Sequence, residues 1–341
     1  MKNNKNFESL ILDIKEKANK INEFIFNNLE FDNNLKNLYE SAFYYLKSGG
    51  KKIRPYLVIK SGELFGLEDK LALPTAATIE MIHNFTLIHD DIMDNSDFRH
   101  HLPSAHKKYG LDYGILGGDF LLIYALNFLT EKNKDLGFDY NKILSINKNI
   151  LQTCIEICEG QALDSDFSKN YKIPSKKDYF LMISKKTSSL ISTSCFLGGL
   201  IVDAELKYLK KLKNYGKYLG IAFQIIDDLL GVLGESEKTG KPVGNDIIEG
   251  KKTLPIILAY RFSNKKEKER IISILSSKKA NTEDINFIVK ILKRLEIENK
   301  LRNLANKYLN KSIKEISNIK GDKKSKSNLI ELAYFIIERN F

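Results

Sequence analysis

Three carboxylates lie at the end of an otherwise apolar segment, EMIHNFTLIHDDIMD, residues 80–94. At about 100° per residue, Asp90 and Asp94 share one helix face, and His83 lies on that face two turns earlier. Neighbouring carboxylates repel unless a cation compensates them, and hard oxygen ligands favour Mg²⁺ over zinc. A solvated helix end is the commoner explanation for a single cluster of this kind, so the segment alone leaves both possibilities open.

A second cluster has the same form. In FQIIDDLLG, residues 223–231, Asp227 and Asp228 again follow an apolar helical run. Mg²⁺ is usually held by one or two carboxylates together with substrate phosphate. Two acidic helices that face each other therefore predict a diphosphate bound between them.

Cationic side chains that could hold such a diphosphate are also present. The segment GGKKIRP, residues 49–55, offers Lys51 as a mobile point charge and Arg54 as a bidentate fork. Gly49 and Gly50 allow a close backbone approach. In so lysine-rich a chain any single lysine is more simply explained as solvated surface. Further candidates lie near Gly, Pro or a helix end: Arg99, Lys186, Lys241 and Lys251.

Composition narrows the classes of function. The 341 residues carry a net charge of +11, which would suit nucleic acid, an anionic membrane surface or a polyphosphate substrate. The lysines are spread along the chain, so nucleic acid is not favoured. Three cysteines without paired spacing indicate neither a disulfide framework nor structural zinc, and they fit a reducing cytosol. No run reaches about 20 apolar residues and the N-terminus lacks a signal-peptide core, so we expect no membrane-spanning segment.

The elements that must carry these side chains are predicted to be helices. Apolar residues recur at spacings of three and four, whereas alternating strand-like runs are scarce. Polar stretches such as 263–268 and 319–327 are too short to be domain linkers, so we predict one all-α domain. Helical periodicity covers 7–25, 37–47, 74–93, 115–129, 142–163, 177–201, 206–234, 253–262, 281–308 and 327–338.

Taken together, the motifs resemble those of the trans-prenyl diphosphate synthases, the farnesyl and geranylgeranyl diphosphate synthase family. The resemblance implies a large helical bundle of the isoprenoid synthase type over residues 1–341, with a central active-site cavity. It also implies a cytoplasmic homodimer that uses Mg²⁺, roughly three ions per substrate-bound site. The matching segments, in order, are GGKKIRP (49–55), HNFTLIHDDIMD (83–94), GQALD (160–164), KT (186–187), FQIIDDLLG (223–231) and GKPVGNDIIEGKKT (240–253).

The same resemblance assigns roles to residues. It implies isopentenyl diphosphate binding by Lys51, Arg54, His83 and His100. It implies magnesium ligation on the allylic diphosphate by Asp90, Asp94 and Asp227, with Asp91 and Asp228 in support. It implies neutralisation of the allylic diphosphate by Arg99, Lys186, Lys241 and Lys251. Stabilisation of the allylic cation falls to Lys186, Thr187 and Gln224, of which the latter two also belong to the allylic diphosphate site.

Two departures and one specificity feature follow from the comparison of motifs. The family usually has a second arginine where His100 stands, and His100 is only partly charged at neutral pH, which predicts weaker or more pH-dependent isopentenyl diphosphate binding. Gly231 replaces a third aspartate, as in archaeal-type members. Phe85 and Thr86, which precede the first aspartate cluster, would form the floor of the product cavity and predict mainly geranylgeranyl diphosphate. Phe85 as ordinary core is an equal alternative.

Other functions stay open on the sequence alone. The product could be farnesyl diphosphate, or the chain could be a non-catalytic subunit of a heteromeric synthase. A class I terpene cyclase would carry a mixed Asn/Ser/Glu motif where this chain has Asp227 and Asp228. A helical scaffold with a basic surface would leave both acidic clusters unexplained.

Overall fold

A computed structural model describes residues 7–99, 102–170, 172–234, 244–277 and 279–338. Within these ranges the only sheet is a pair of two-residue antiparallel strands, β1 (Phe98–Arg99) and β2 (Leu102–Pro103). Helices form nearly all the rest, so the all-α prediction is confirmed. The helices are α1 (Glu8–Asn28), α2 (Lys36–Ala42), α3 (Ile53–Glu63), α4 (Asp69–Met93), α5 (Ala105–Tyr109), α6 (Leu111–Asp135), α7 (Tyr140–Lys169), α8 (Lys176–Ile183), α9 (Ser189–Ile201), α10 (Leu206–Leu233), α11 (Asn245–Ile248), α12 (Leu254–Phe262), α13 (Lys265–Ser277), α14 (Thr282–Arg294), α15 (Ile297–Ser317) and α16 (Lys323–Ile337).

Short turns join several of these helices. Two 3₁₀ turns, Asn33–Leu35 and Tyr45–Ser48, flank α2, and one π turn, Ser184–Ser188, joins α8 to α9. The continuous helix predicted over 177–201 is therefore interrupted where it carries the candidate residues Lys186 and Thr187. Such π turns are frequent at functional sites.

The chain divides into two compact units. The first comprises Met1–Thr153, Leu190–Gly216 and Glu315–Leu332, and the second comprises Cys154–Ser189, Lys217–Lys314 and Ala333–Phe341. The boundary at Thr153 falls inside α7. A single domain over residues 1–341 stays a prediction.

Helix α4 is the centre of the first unit. Its residues from Ala72 to Ile88 are buried on most faces, and the helix packs against α3 and α6. Two glycines of α6 make close approach possible: a Cβ at Gly118 would overlap the ring of His89 on α4, and one at Gly117 would lie 2.6 Å from the Ser41 hydroxyl on α2. The last turn of α4 carries the first aspartate cluster.

The second unit is built around α12, whose residues are mostly buried and which packs against α8, α13 and α14. Helix α8 begins with a capping box in which Ser175 and Asp178 satisfy each other's backbone N–H groups. This packing fixes α8, and with it the π turn that follows.

The structure corrects four details of the helix prediction. Helix α3 is not among the predicted helices, because its first half contains only a short apolar run, 55–59, without clear helical periodicity. Helix α13 begins with charged residues inside the polar stretch 263–268, which the sequence predicts to be a surface connection. The predicted helix 281–308 breaks at Glu296, whose φ of 51° is left-handed. Pro74, expected at a helix edge, lies inside α4.

One described helix, α6, is long and apolar enough to cross a membrane by length and composition alone. Core helices of soluble proteins meet the same criterion. Helix α6 packs against α2 and α4 through Gly117 and Gly118, whereas other apolar residues of the helix, such as Leu116 and Ile123, are exposed.

Candidate active site

The first aspartate cluster occupies the C-terminal turn of α4. Asp90 and Asp94 lie one turn apart, where the Asp94 N–H donates to the Asp90 carbonyl at 2.9 Å. Both side chains are half-buried, whereas Asp91 between them is completely buried. The two accessible carboxylates on one helix face are the arrangement that the sequence predicted.

Asp91 is held by two partners. The Tyr45 hydroxyl donates to Asp91 Oδ2 at 2.6 Å, and Arg99 Nε donates to Oδ1 at 3.0 Å. The same Tyr45 oxygen accepts the backbone N–H of Ala105 at 2.9 Å. Burial lowers the pKa of the Arg99 guanidinium, but the hydrogen bonds to Asp91 and the negative charge of Asp91 raise it, and the net effect is a raised pKa. Asp91 therefore fixes the segment after α4 rather than presenting a free carboxylate.

Arg99 contacts the first aspartate cluster. Its guanidinium pairs with Asp91, and its Nη2 lies 3.9 Å from Asp90 Oδ2. The expected role of Arg99 at the allylic diphosphate stays a prediction. The side chain is only about one-fifth exposed. Arg99 thus places a positive charge beside the first cluster while it orients Asp91.

The predicted isopentenyl diphosphate residues of the first unit are brought together in part. Arg54 Nη1 lies 3.0 Å from His83 Nε2. Because arginine can only donate, His83 Nε2 accepts and its ring proton is on Nδ1. Lys51 is exposed just before α3. His100 lies outside the described residues.

Phe85 and Thr86 lie on α4 one turn before the first cluster. Phe85 is 5% exposed and meets the His89 ring edge to face, with centroids 5.8 Å apart. Thr86 is half-buried, and its hydroxyl donates to the His83 carbonyl. Burial of Phe85 is compatible with both readings, cavity floor and ordinary core.

In the second cluster Asp227 is exposed, whereas Asp228 is buried. Asp228 accepts hydrogen bonds from the Tyr179 hydroxyl at 2.5 Å, the Gln224 amide at 2.8 Å and the Leu254 N–H at 3.2 Å. Burial raises the pKa of Asp228 to about 6, although these donors act in the opposite direction. Asp228 is the hub of a polar network in the second unit.

That network reaches the π turn. The Thr187 hydroxyl donates to Gln224 Oε1 at 2.8 Å, and Lys186 Nζ pairs with Asp164 Oδ2 at 2.7 Å. A Cβ at Gly160 would overlap the backbone N of Lys186, so glycine is required for α7 to approach the turn. The predicted association of Lys186, Thr187 and Gln224 is thus present within the second unit.

The segment around α11 supplies two more charges. Lys251 is half-buried, and its Nζ lies 2.6 Å from Glu249 Oε2. Burial raises the pKa of Asp246 to about 7, against the lowering effect of Lys251. A Cβ at Gly231 would lie 2.6 Å from the Asp246 Cγ, so glycine at the third position of the second cluster leaves room for this carboxylate. Lys241 lies outside the described residues.

Sequence reasoning missed the partners that hold these side chains. Tyr45 and Tyr179 gave no signal, since each lies more than 40 residues from the aspartate it contacts. Asp164 lies in the GQALD motif, but the sequence indicates no specific role for it. A cavity of about 640 Å³ in the first unit is lined by Asp13, Lys17, Lys60 and Glu63 among others and contains none of the predicted site residues. The central active-site cavity stays a prediction.

The donor set suits magnesium. Among the described residues no group of three or more His, Cys, Asp and Glu side chains is arranged to enclose a metal ion. Mg²⁺ does not need such a cage, since one or two carboxylates and substrate phosphate suffice. Asp90, Asp94 and Asp227 are accessible carboxylates of this kind, whereas Asp91 and Asp228 are occupied by other donors.

Comparison with known proteins identifies the relatives of this chain. The family model described as polyprenyl synthetase matches residues 35–292. The geranylgeranyl diphosphate synthase of Saccharolobus solfataricus is 38% identical over 97% of this chain and 98% of its own length. A short chain isoprenyl diphosphate synthase of Methanocaldococcus jannaschii is 41% identical over 75% of this chain and 76% of its own. The crystal structure of geranylgeranyl pyrophosphate synthetase from Pyrococcus horikoshii superposes with a TM-score of 0.91 at 34% identity, covering 98% of this chain and 99% of that one.

Proposed function

The chain belongs to the polyprenyl synthetase family and is a prenyltransferase, and we propose that it condenses isopentenyl diphosphate with allylic diphosphates to give mainly geranylgeranyl diphosphate. Similarity to geranylgeranyl diphosphate synthases over nearly the whole length carries this proposal. The accepted allylic substrates are dimethylallyl, geranyl and farnesyl diphosphate, each longer by one unit than the last.

The reaction has three steps. The C–O bond of the allylic diphosphate breaks, and both electrons leave with pyrophosphate. The double bond of isopentenyl diphosphate attacks the allylic cation to form a C–C bond. A proton is then lost from the adjacent carbon to make the new double bond, and the released pyrophosphate acts as the base that accepts it. The main demand on the protein is to stabilise the departing negative charge.

Asp90, Asp94 and Asp227 are the carboxylates that we propose to hold magnesium on the allylic diphosphate. The ions would supply Lewis-acid stabilisation of the leaving group when bound, and we propose roughly three per site, whose positive charge would offset the diphosphate and the three carboxylates together. The accessibility of these three side chains supports the assignment. Asp91 and Asp228 orient the two clusters through their buried bonds.

Basic side chains are proposed to bind the two diphosphates and to offset their negative charge. In the proposal Lys51, Arg54 and His83 bind the diphosphate of isopentenyl diphosphate, a role supported by the 3.0 Å contact between the latter two. Lys186 and Lys251 act on the allylic diphosphate. Their ion pairs with Asp164 and Glu249 orient both ammonium groups.

Three further residues are assigned by their positions in the motifs. His100 and Lys241 lie outside the described residues, and Arg99 already pairs with Asp91. His100 and Lys241 keep their roles at the isopentenyl and allylic diphosphates. Arg99 acts on the allylic diphosphate from its place beside Asp90, in addition to its bond with Asp91.

Thr187 and Gln224 are proposed to face the developing allylic cation. The i→i+5 bonds of the π turn interrupt the regular helical ladder at Lys186 and Thr187, which makes backbone carbonyl oxygens available for an electron-poor group. The bond from Thr187 to Gln224, and from Gln224 to Asp228, holds both side chains in fixed rotamers. Their oxygens need no reorganisation as charge develops.

Product length is proposed to be set by Phe85 and Thr86. The large buried ring of Phe85 would block growth beyond geranylgeranyl diphosphate, whereas farnesyl diphosphate as the main product is the alternative. We expect Phe85→Ala to lengthen the product. Chain-length analysis of the two enzymes tests this, and an unchanged product spectrum would reject the floor assignment.

The activity itself is tested with labelled isopentenyl diphosphate and each allylic primer, with and without Mg²⁺. We expect magnesium-dependent elongation by the wild type and a loss of roughly 10²-fold or more in kcat for Asp94→Asn. Asp135→Asn, an exposed aspartate of the same unit, is the matched control. Absence of elongation with every primer would favour a non-catalytic subunit.

We infer that the enzyme is a cytoplasmic homodimer without an integral membrane segment. Helices α6 and α7 expose large apolar side chains, among them Ile123 and Leu144, each about two-thirds exposed. A second copy would cover such a face. Light scattering of the wild type and of Leu144→Glu tests the inference, which predicts a dimer that the substitution weakens.

A further inference from the structure

Two adjacent lysines of GGKKIRP lie in opposite environments. Lys51 is exposed, whereas Lys52 is 5% exposed and its ammonium donates to Glu80 Oε1 at 3.0 Å. Glu80 is equally buried on α4. Because two charges must lose their water to form such a pair, a buried ion pair is seldom retained for stability alone.

The backbone of Lys52 is also unusual. It adopts φ 46° and ψ 44°, the left-handed region, at the residue that precedes the first turn of α3. This conformation is unfavourable for a residue with a side chain and persists only where the surroundings impose it. Gly49 and Gly50 before it also have positive φ, 87° and 106°. The loop thus has an unusual backbone conformation, and the ion pair of Lys52 lies at its end.

The acceptor is fixed as firmly as the donor. The Asn84 amide donates to Glu80 Oε1 at 3.0 Å and to the Glu80 carbonyl at 2.7 Å. One turn along the same helix, His83 meets Arg54. Lys52, just before α3, and Arg54, in the first turn of α3, therefore contact α4 at two points one turn apart, so the first contact constrains the position of the second.

We propose that Lys52 and Glu80 are positioning residues that hold Lys51, Arg54 and His83 in the arrangement that binds isopentenyl diphosphate. The inference rests on the proposed function. Lys52 does not touch the substrate, because its ammonium is buried and bound to Glu80. Its left-handed backbone directs the exposed Lys51 on one side and starts α3, which carries Arg54, on the other.

The test compares the effect of each substitution on the KM for isopentenyl diphosphate with its effect on the KM for the allylic diphosphate. For Lys52→Met we expect the KM for isopentenyl diphosphate, and its Kd by calorimetry without allylic primer, to rise about 10-fold or more. The KM for the allylic diphosphate should stay within about 2-fold. Glu80→Gln should show the same split, and the double variant should be no worse than either single one, because both act through one contact. Lys52→Arg restores a charged partner for Glu80 and should recover most of the affinity.

Lys60 provides a matched control. It is a buried lysine on the same helix, α3, and it pairs with Asp13 and Glu63. Lys60→Met should lower the unfolding midpoint as Lys52→Met does while leaving the KM for isopentenyl diphosphate unchanged. An equal rise in that KM for both variants would show that the effect is general loosening and would overturn the inference.

Other outcomes distinguish failure of the positioning role from failure of the proposed function. An unchanged isopentenyl diphosphate affinity in folded Lys52→Met or Glu80→Gln, or an equal rise in both substrates' KM, overturns the positioning role while the proposed function stands. If Lys52→Met does not fold, Glu80→Gln and Lys52→Arg supply the same comparison. A wild type that neither binds isopentenyl diphosphate nor elongates any primer defeats the proposed function and the inference with it.

Discussion

Replacement of Asp228 by asparagine tests the reasoning about buried charge most directly. The carboxylate accepts from the Tyr179 hydroxyl, the Gln224 amide and the Leu254 N–H. Asparagine keeps the size and can accept from Tyr179 and Leu254 through its oxygen. Its amide then faces Gln224, which can turn its own amide over, and the Thr187 hydroxyl can rotate to accept. Asp228→Asn thus removes the charge with little loss of packing.

The expected magnitude follows from the pKa. Burial raises the pKa of Asp228 from 3.8 to about 6, a difference that corresponds to about 3 kcal/mol. Between these values the folded chain keeps a proton that the unfolded chain has released. The stabilising contribution is therefore complete below the unfolded pKa and is lost as pH rises through about 6. Relative to Asp228→Asn, the wild type should lose about 2 kcal/mol between about pH 4.5 and about pH 7.

Urea unfolding of both metal-free proteins in EDTA across this pH range is the assay. Asp178→Asn is the control, because Asp178 is exposed in a capping box whose hydrogen bonds lower its pKa. Its contribution is present above the unfolded pKa and is lost as pH falls, so its difference from wild type should not decline with rising pH. A constant difference between wild type and Asp228→Asn across the range would refute the argument.

Three further substitutions test the contacts of the two clusters. Tyr45→Phe removes the donor to buried Asp91 and should lower the free energy of unfolding by about 1–3 kcal/mol, measured by urea denaturation; unchanged stability would contradict the anchoring role. Gly160→Ala places a Cβ against the backbone of Lys186, which cannot rotate away, and should cost about 1–3 kcal/mol and reduce kcat; an alanine variant as stable and active as wild type would remove the packing explanation. Asp164→Asn removes the ion pair that Asp164 forms with the Lys186 ammonium and should raise the KM for the allylic diphosphate by roughly 5-fold, with the isopentenyl KM unchanged; a parallel rise in both would indicate a general structural defect.

The sequence was sufficient where the chemistry depends on local periodicity. Asp90 and Asp94 are four residues apart on one helix, so their common face follows from 3.6 residues per turn. The association of Lys186, Thr187 and Gln224 followed from motif resemblance rather than from spacing, since 37 residues separate Thr187 from Gln224.

Tertiary contacts decided what the sequence could not. Periodicity gives no means to tell which aspartate of each adjacent pair is buried, because that depends on Tyr45 and Tyr179, which are distant in sequence. Periodicity likewise gives no indication that the Arg99 guanidinium pairs with Asp91. The sequence contains no indication of the π turn, because its residues are compatible with a regular α-helix.

Each aspartate pair therefore divides one task between two residues: the first carboxylate stays accessible and the second is buried beneath a tyrosine hydroxyl. The two buried carboxylates are compensated differently. Asp91 has the guanidinium of Arg99, whereas the hydrogen-bond donors observed on Asp228 are neutral. A buried charge with neutral donors is costly, which is the physical reason for the raised pKa of Asp228. A divalent cation held by the neighbouring Asp227, as proposed above, would offset that cost and would link magnesium affinity to the folding free energy of this unit.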